Sequence, residues 1–344
     1  LAEYHATTIS ALTRTGLESI LDVHTSHEEI VTKYPSFAAS RSRFTAGYLN
    51  RGDGWCDSTR AVEYARVLCG EKGAEFVVGT AGMVTGFWGE GEVGGQRRVK
   101  GVVTADGEKH AADLVIMATG AWSGKIVPGL ERLLKASGQA VVHLKIPKEL
   151  IGKYGWEAMP TWNVDITSQG HYGFAANQDG IFKLAHHGAG YLNPTDVGLK
   201  NPISLPRTIV DHPNDTIPRD AVVRFRAFLA DVFPQLATLD IIKTRMCWYT
   251  DTFDGNFLMD HHPDFNGLFV ATGGSGHGMK FLPVLGEEVV NIIEGKPTPY
   301  AEMWRWRVPV DNGKKESARM VGSARILQES EMADTEDLKG GRVF

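Results

Sequence analysis

The stretch Leu268-Phe269-Val270-Ala271-Thr272-Gly273-Gly274-Ser275-Gly276-His277-Gly278 decides the fold of this chain. Its first five residues read as a strand buried on both faces, and the glycines that follow end it. A helical stretch from about Pro283 to Glu294 comes next. A glycine-rich turn that leaves a buried strand and opens a helix lets backbone N–H groups approach an anionic or planar ligand without Cβ obstruction. The same order occurs earlier. The apolar run from Ala111 to Ala118 predicts a second buried strand of a parallel or mixed sheet, followed by Thr119-Gly120-Ala121-Trp122-Ser123. A tight turn needing positive φ explains either junction alone. Two of them, each behind an apolar strand ending in Ala-Thr-Gly, favour a nucleotide cofactor.

Working outward, Glu3 to Thr13 has helical spacing, and Ser26-x-x-Glu29 is a capping-box candidate for a second short helix that Pro35 ends. Asp57 predicts an N-cap for a helix reaching Lys72, with Ala61, Tyr64, Ala65 and Leu68 on one face and Gly73 as its stop. Glu75-Phe76-Val77-Val78 follows as a predicted strand. Gly101 to Thr104 with the turn Asp106-Gly107 reads as a hairpin. A literal G-x-G-x-x-G at Gly89, Gly91 and Gly94 has no buried strand before it and Arg97, Arg98 and a strand after it, so it is read as a hairpin loop. Residues 138 to 193 alternate aromatic and polar residues with Gly and Pro breaks, which predicts antiparallel strands rather than helices. Ala221, Val222, Phe225, Phe228, Leu229 and Val232 then make an amphipathic helix closed by Pro234. After Arg307 the apolar period disappears, and residues 309–344 read as a disordered tail.

The composition excludes several function classes. The chain has 344 residues, 42% apolar and 22% charged, which suits one large or two ordinary folded domains. Its 39 glycines are about 11% of the residues against a usual share of roughly 7%, grouped rather than periodic. A net charge of −5 with no Lys/Arg run beyond pairs leaves no nucleic-acid footprint. No apolar stretch approaches the roughly 18 residues of a membrane span, and the opening residues do not have a signal-peptide pattern. Three cysteines, Cys56, Cys69 and Cys247, form no C-x-x-C pair and point to a reducing compartment. The last residues do not form an S-K-L address. Adjacent histidines at His186-His187 and His261-His262 point to opposite faces of a strand, so each dipeptide offers at most one metal ligand, and no metal site is expected. Cys247, between aromatics, is by itself a buried structural thiol.

The block from Cys247-Trp248-Tyr249-Thr250-Asp251-Thr252 through Asp260-His261-His262-Pro263 to Gly273-Gly274-Ser275-Gly276-His277-Gly278-Met279-Lys280-Phe281 resembles the C-terminal signature of FAD-dependent amine oxidases. These are the family of monomeric sarcosine oxidase and amadoriase (fructosyl amino acid oxidase), with its fungal saccharopine and pipecolate oxidase branch. Trp304-Arg305-Trp306-Arg307 resembles the closing motif of the fungal members, and the similarity spans about residues 15 to 307.

The resemblance implies an α/β (α+β) chain of the D-amino-acid-oxidase type. A discontinuous Rossmann-like FAD domain would take residues 40–130 and 245–308. A mostly antiparallel substrate domain would take 131–244 and the helical residues 1–39. Cys247 matches the cysteine that forms a thioether to the 8α-methyl of the flavin, and Val84, Thr119, Gly120, Trp122 and the run from Gly273 to Lys280 fall where the cofactor is lined. Lys280 matches the lysine that binds the substrate carboxylate. Lys183 matches the lysine over the flavin that assists reaction with O₂, where a positive charge stabilises the anions formed as O₂ is reduced. Lys183 on an apolar strand is otherwise a snorkelling side chain.

His187, four residues on, lies on the same strand face and faces the pocket or serves as an ordinary hydrogen-bonded histidine. Fructosyl-specific members carry an acidic residue near here, in a Lys-x-Cys-Asp-Glu pattern. This chain reads Lys183-Leu184-Ala185-His186-His187, closer to the saccharopine, pipecolate and sarcosine type. The implied activity is oxidation of secondary amines with release of H₂O₂, by a monomer in the cytoplasm or peroxisome whose partners are a small amine or amino acid and O₂. A fructosyl amino acid oxidase, an FAD dehydrogenase and a non-catalytic remnant are the alternatives. The family's N-terminal strand, G-x-G-x-x-G turn and helix has no counterpart here, so the resemblance also implies a truncated chain that binds FAD weakly by itself.

Overall fold

A computed structural model describes residues 3–89, 91–166, 170–309 and 323–341. The N-terminal part is helical with one small two-stranded sheet. Helix α1 (Glu3–Arg14) precedes α2 (His27–Lys33), whose capping box forms as the spacing requires. The Glu29 N–H donates to Ser26 Oγ at 3.2 Å, while the Glu29 carboxylate accepts from the Thr25 N–H at 2.7 Å. Helix α3 (Ser58–Glu71) starts at Asp57, whose carboxylate accepts from the Arg60 N–H. Gly73 follows at φ +88°. The predicted apolar face of α3 is not covered: Tyr64 and Leu68 are exposed among the described residues. Glu75-Phe76-Val77-Val78 is a correction to the sequence reading, because it joins no sheet and Val78 is 80% exposed. β-propensity alone does not make a strand without a partner to receive its hydrogen bonds.

Strands Val84–Trp88, Gly101–Thr104 and Lys109–Ala111 form a three-stranded antiparallel sheet. The Asp106-Gly107 turn joins the last two, with Thr104 Oγ1 donating to Asp106 at 2.6 Å. Gly91 and Gly94 sit in the predicted hairpin loop at positive φ, beside the paired strands Glu92–Val93 and Gln96–Arg98. Glu90 lies outside the described residues.

The large sheet has seven strands. Strand β1 (Val115–Met117) belongs elsewhere, and the sheet begins with β2 (Leu134–Lys145), β3 (Trp162–Val164), β4 (His171–Phe174), β5 (Ile181–His186) and β6 (Tyr191–Leu192). Strand β7 (Ile241–Thr252) pairs antiparallel with β2 along its whole length. The boundary expected at residues 244 and 245 therefore falls inside one unbroken strand. Between β2 and β3, Lys148–Tyr154 forms helix α4, where strands alone are predicted.

One face of the large sheet packs on α5 (Arg219–Val232), which buries all six apolar residues that its period selects. Each of the five larger than Ala221 contributes about 1.5–3 kcal/mol over remaining exposed.

A third sheet joins β8 (Leu258–His261) antiparallel to β9 (Leu268–Thr272) and β9 parallel to β1. Strand β9 is buried as expected. Strand β1 is not: Ile116 is 47% exposed, because β1 is the edge of this sheet and one of its faces is bare among the described residues. Helix α6 (Leu282–Ile293) follows the glycine turn after β9.

The disordered-tail expectation is corrected for residues 323–341. Strand β10 (Arg325–Ile326) pairs parallel with β6, and Leu327, Ala333 and Asp337 are buried. The segment carries no apolar period because backbone bonds hold much of it. The buried Arg226 donates to the carbonyls of Ala237 at 3.1 Å, Leu239 at 2.6 Å, Leu338 at 2.8 Å and Lys339 at 2.9 Å. Arg226→Met is expected to lower the unfolding free energy by about 3 kcal/mol, read from the urea midpoint, by orphaning the carbonyls of Ala237, Leu239 and Lys339, while Leu338 O keeps the Ile241 N–H. Residues 310–322 and 342–344 of the expected tail lie outside the described residues. Among the described residues no helix is long and apolar enough to cross a membrane.

Candidate active site

Antiparallel register decides which side chains meet. Directly opposed residues share a face, and the pairs Lys183↔His143, Ala185↔Val141, Lys243↔His143, Arg245↔Val141, Cys247↔Gln139 and Tyr249↔Ser137 put Lys183, His143, Arg245, Cys247 and Tyr249 on one side of β5, β2 and β7. This is the face opposite the α5 core. Lys183 is half-buried, with Nζ 4.9 Å from the centre of the Phe174 ring. Burial lowers its pKa below the ordinary lysine value, the neighbouring Arg245 lowers it further, and Cys247 opposes them.

His187, just past β5, extends the same face, and its Nδ1 lies 3.3 Å from the Tyr249 hydroxyl. Tyr249 and Tyr172 share a hydrogen bond, and burial raises the pKa of both phenols. Gln139 holds this corner in place: its amide donates to Gly188 O at 3.1 Å and accepts from the Gly188 N–H at 3.2 Å. Ser137 donates to the buried Asp251 at 2.6 Å. Cys247 is half-buried in the middle of this face, rather than packed in the core as the structural alternative requires.

The two Ala-Thr-Gly junctions come together at the carboxyl ends of β1 and β9. Register Val270↔Met117 sets them side by side, and a chain of hydroxyls crosses between them. Thr119 Oγ1 and Thr272 Oγ1 each lie 3.0 Å from Ser123 Oγ. Gly120 has φ +51° and Gly273 φ +75°. A Cβ on Gly273 would stand 2.7 Å from Thr252 Cγ2.

Ser275 is fully buried at φ +47°, a conformation held by its N–H donating to Thr250 O at 2.9 Å and by the Thr252 N–H donating to its Oγ at 3.2 Å. Gly276, at φ +74°, lies against the Tyr249 ring, which a Cβ would approach to 2.6 Å. Gly276→Ala is therefore expected to displace Tyr249 and weaken FAD binding about tenfold, measured by flavin titration.

The closing motif works from below. Arg307 donates to Asp254 at 2.8 and 2.6 Å and to the Phe257 carbonyl at 3.0 Å. Burial favours a higher Asp254 pKa, but Arg307 and the Asn256 N–H outweigh it and hold the carboxyl down at about 2. Phe257, steadied by Trp304, stacks on His277 at 5.0 Å.

The remaining expected residues fall less close. Gly274 and Gly278 complete the turn, and Met279 and Lys280 lie on the 3₁₀ turn after it, with Lys280 exposed and its Nζ 5.6 Å from the Phe281 ring centre. Trp122 is 43% exposed. Val84 packs into the apolar cluster around Val115 and Leu268. Among the described residues no group of side chains could hold a metal ion. The sequence reading missed Tyr172, Tyr249, Gln139 and Arg245, although the alternation 245, 247, 249 along β7 was available as a signal.

An isoalloxazine and ribityl chain fit this place: positive-φ glycines bring backbone close at the ends of two parallel strands, where ligands of such sheets bind, and a half-buried, cationic sheet face adjoins.

Residues 5–292 match the model of the FAD dependent oxidoreductase (DAO) family. The chain is 31% identical over 293 residues to L-saccharopine oxidase of Schizosaccharomyces pombe, covering 82% of this chain and 66% of that protein. It is 26% identical over 199 residues to monomeric sarcosine oxidase of a Bacillus species, covering 56% of this chain and 46% of that protein. The chain thus spans less than two thirds of the length of these relatives. Among solved structures, fructosyl peptide oxidase from E. terrenum superposes with a TM-score of 0.81 at 28% identity, over 96% of this chain and 75% of that one.

Proposed function

The chain belongs to the DAO family of FAD dependent oxidoreductases, and on that footing we propose that it oxidises a secondary amine or N-substituted amino acid at the carbon beside nitrogen, with O₂ as acceptor. The observation that supports this most is the register that sets Lys183, His187 and Cys247 on one sheet face beside Tyr249 and the glycine turn.

FAD, when bound, supplies the hydride acceptor and the route to O₂. Cys247 is the proposed covalent anchor, and the turns at Thr119-Gly120 and Gly273 to Gly278 offer backbone N–H groups to the cofactor. Lys183 holds a positive charge where negative charge develops on O₂. Lys280 takes the substrate carboxylate, and His187 with the Tyr249 and Tyr172 hydroxyls orients the amine. His187 stands where the fructosyl-specific pattern has an acid, which favours saccharopine, pipecolate or sarcosine-type substrates over Amadori products.

The test is peroxide formation by the FAD-loaded protein in air with sarcosine, pipecolate and saccharopine. One H₂O₂ per amine consumed is the expected result. Amine consumed without peroxide indicates a dehydrogenase, and no consumption of any amine indicates a remnant.

A further inference from the structure

The face of the large sheet opposite α5 carries, at its exposed end, positive charge on Lys243 and Arg245 that the proposed chemistry does not use. Lys183, His143 and Lys243 form one cross-strand row on β5, β2 and β7, and Arg245 stands two residues along from Lys243. Lys243 and Arg245 are exposed, and no ion pair joins Lys183, Lys243 or Arg245 to an acid among the described residues. His143 Nδ1 is buried without a hydrogen-bond partner. Asp251, the acid on the same strand face, accepts from Ser137.

Like charges on opposed strands destabilise a sheet, and here they gather in a chain of net charge −5. The electrostatics agree with the register: burial lowers the His143 pKa most, the charge of Lys183 comes next, and the charges of Lys243 and Arg245 lower it further against a hydrogen bond to the Lys243 backbone that raises it. Two strand spacings, on the order of 10 Å, separate the backbones of Lys183 and Lys243. A ligand whose reacting carbon lies near Lys183 would bring the far end of an extended substituent to the second pair of cations.

Resting on the amine oxidase reading, we propose that Lys243 and Arg245 form a subsite for a second carboxylate, carried on the nitrogen substituent of the substrate, so that dicarboxylic secondary amines are preferred over those with a neutral tail. A carboxylate there offsets the repulsion along the row, and the cationic face also steers the dianion inward.

The test compares N-(4-carboxybutyl)glycine with N-pentylglycine on the holoenzyme and on a Lys243→Gln variant. The substituted side chain is exposed, so the variant should keep the wild-type melting temperature. Its kcat/KM for the carboxybutyl substrate is expected to fall about fivefold and to lose part of its salt dependence, with the pentyl substrate unchanged. An equal fall for both substrates, or no change for either, overturns the subsite. Glutarate, which has no amine to oxidise, should raise the melting temperature of the wild type more than that of the variant. An equal shift in the variant also overturns the subsite. Should neither amine be oxidised while the glutarate shift shrinks in the variant, the oxidase reading fails and the anion subsite stands.

Discussion

Lys183→Met is expected to slow the reaction of the reduced enzyme with O₂ by about 10²–10³-fold, the usual loss when one preorganised charge or donor is removed from a site of developing negative charge. Anaerobic reduction by substrate should change much less, so stopped-flow measurement of the two half-reactions separates this role from a general loss of structure. A similar loss in both halves would refute it. The pH dependence has a definite sign. Burial and Arg245 hold the Lys183 pKa below 10.5, so the O₂ reaction should weaken as pH rises through that lowered value, and the Met variant should lack this step. For stability the sign is opposite. Between the lowered folded-state pKa and the unfolded one the unfolded chain binds more protons, so the wild type gains stability as pH rises there. Lys183→Met, relieved of a half-buried charge, should melt higher than wild type at neutral pH while turning over more slowly.

Cys247→Ser is expected to abolish covalent flavin retention. After acid precipitation of the FAD-loaded wild type the yellow colour should stay in the pellet; in the variant it should pass entirely to the supernatant. Cys56→Ser and Cys69→Ser serve as controls, since both thiols are exposed, on or just before α3, and neither is on β5, β2 or β7. A colourless wild-type pellet would remove the thioether from the mechanism while leaving Lys183 untouched. The geometry behind the expectation is the position of Cys247 on the face of β7 opposite α5, in line with Tyr249, whose ring lies against Gly276.

Much of the fold was legible wherever a local rule suffices. Leu268 to Thr272 is apolar at consecutive positions and is a buried strand. Ser26 and Glu29 have capping spacing and make the cap. The period from Ala221 to Val232 selects the side of α5 that faces the core. The glycines after Thr119 and Thr272 announce turns at positive φ, and the block around Cys247 announces the family. What failed had no local cause. Glu75 to Val78 has the composition of a strand and no partner to pair with. Residues 323–341 look like a tail because their anchors are the guanidinium of Arg226, a distant hydrogen-bond donor, and the edge of β6. Ile116 is as apolar as Val115 and Met117, and only its place on a bare edge face leaves it exposed.

The sequence by itself determined the family, the cofactor class, the two Ala-Thr-Gly junctions and the identity of Lys183, His187, Lys280 and Cys247 as the residues to watch. Only the tertiary structure decided their company: that Lys183 and Cys247 share one sheet face with β2 between them, that Tyr249 joins His187 to the glycine turn, and that Lys243 and Arg245 complete a cationic face. The physical reason is register. Side chains alternate along a strand with a period of two, so each sequence states which residues share a side, but the offset between β5, β2 and β7, separated by dozens of residues, is fixed by ladder hydrogen bonds and by burial of the opposite face against α5.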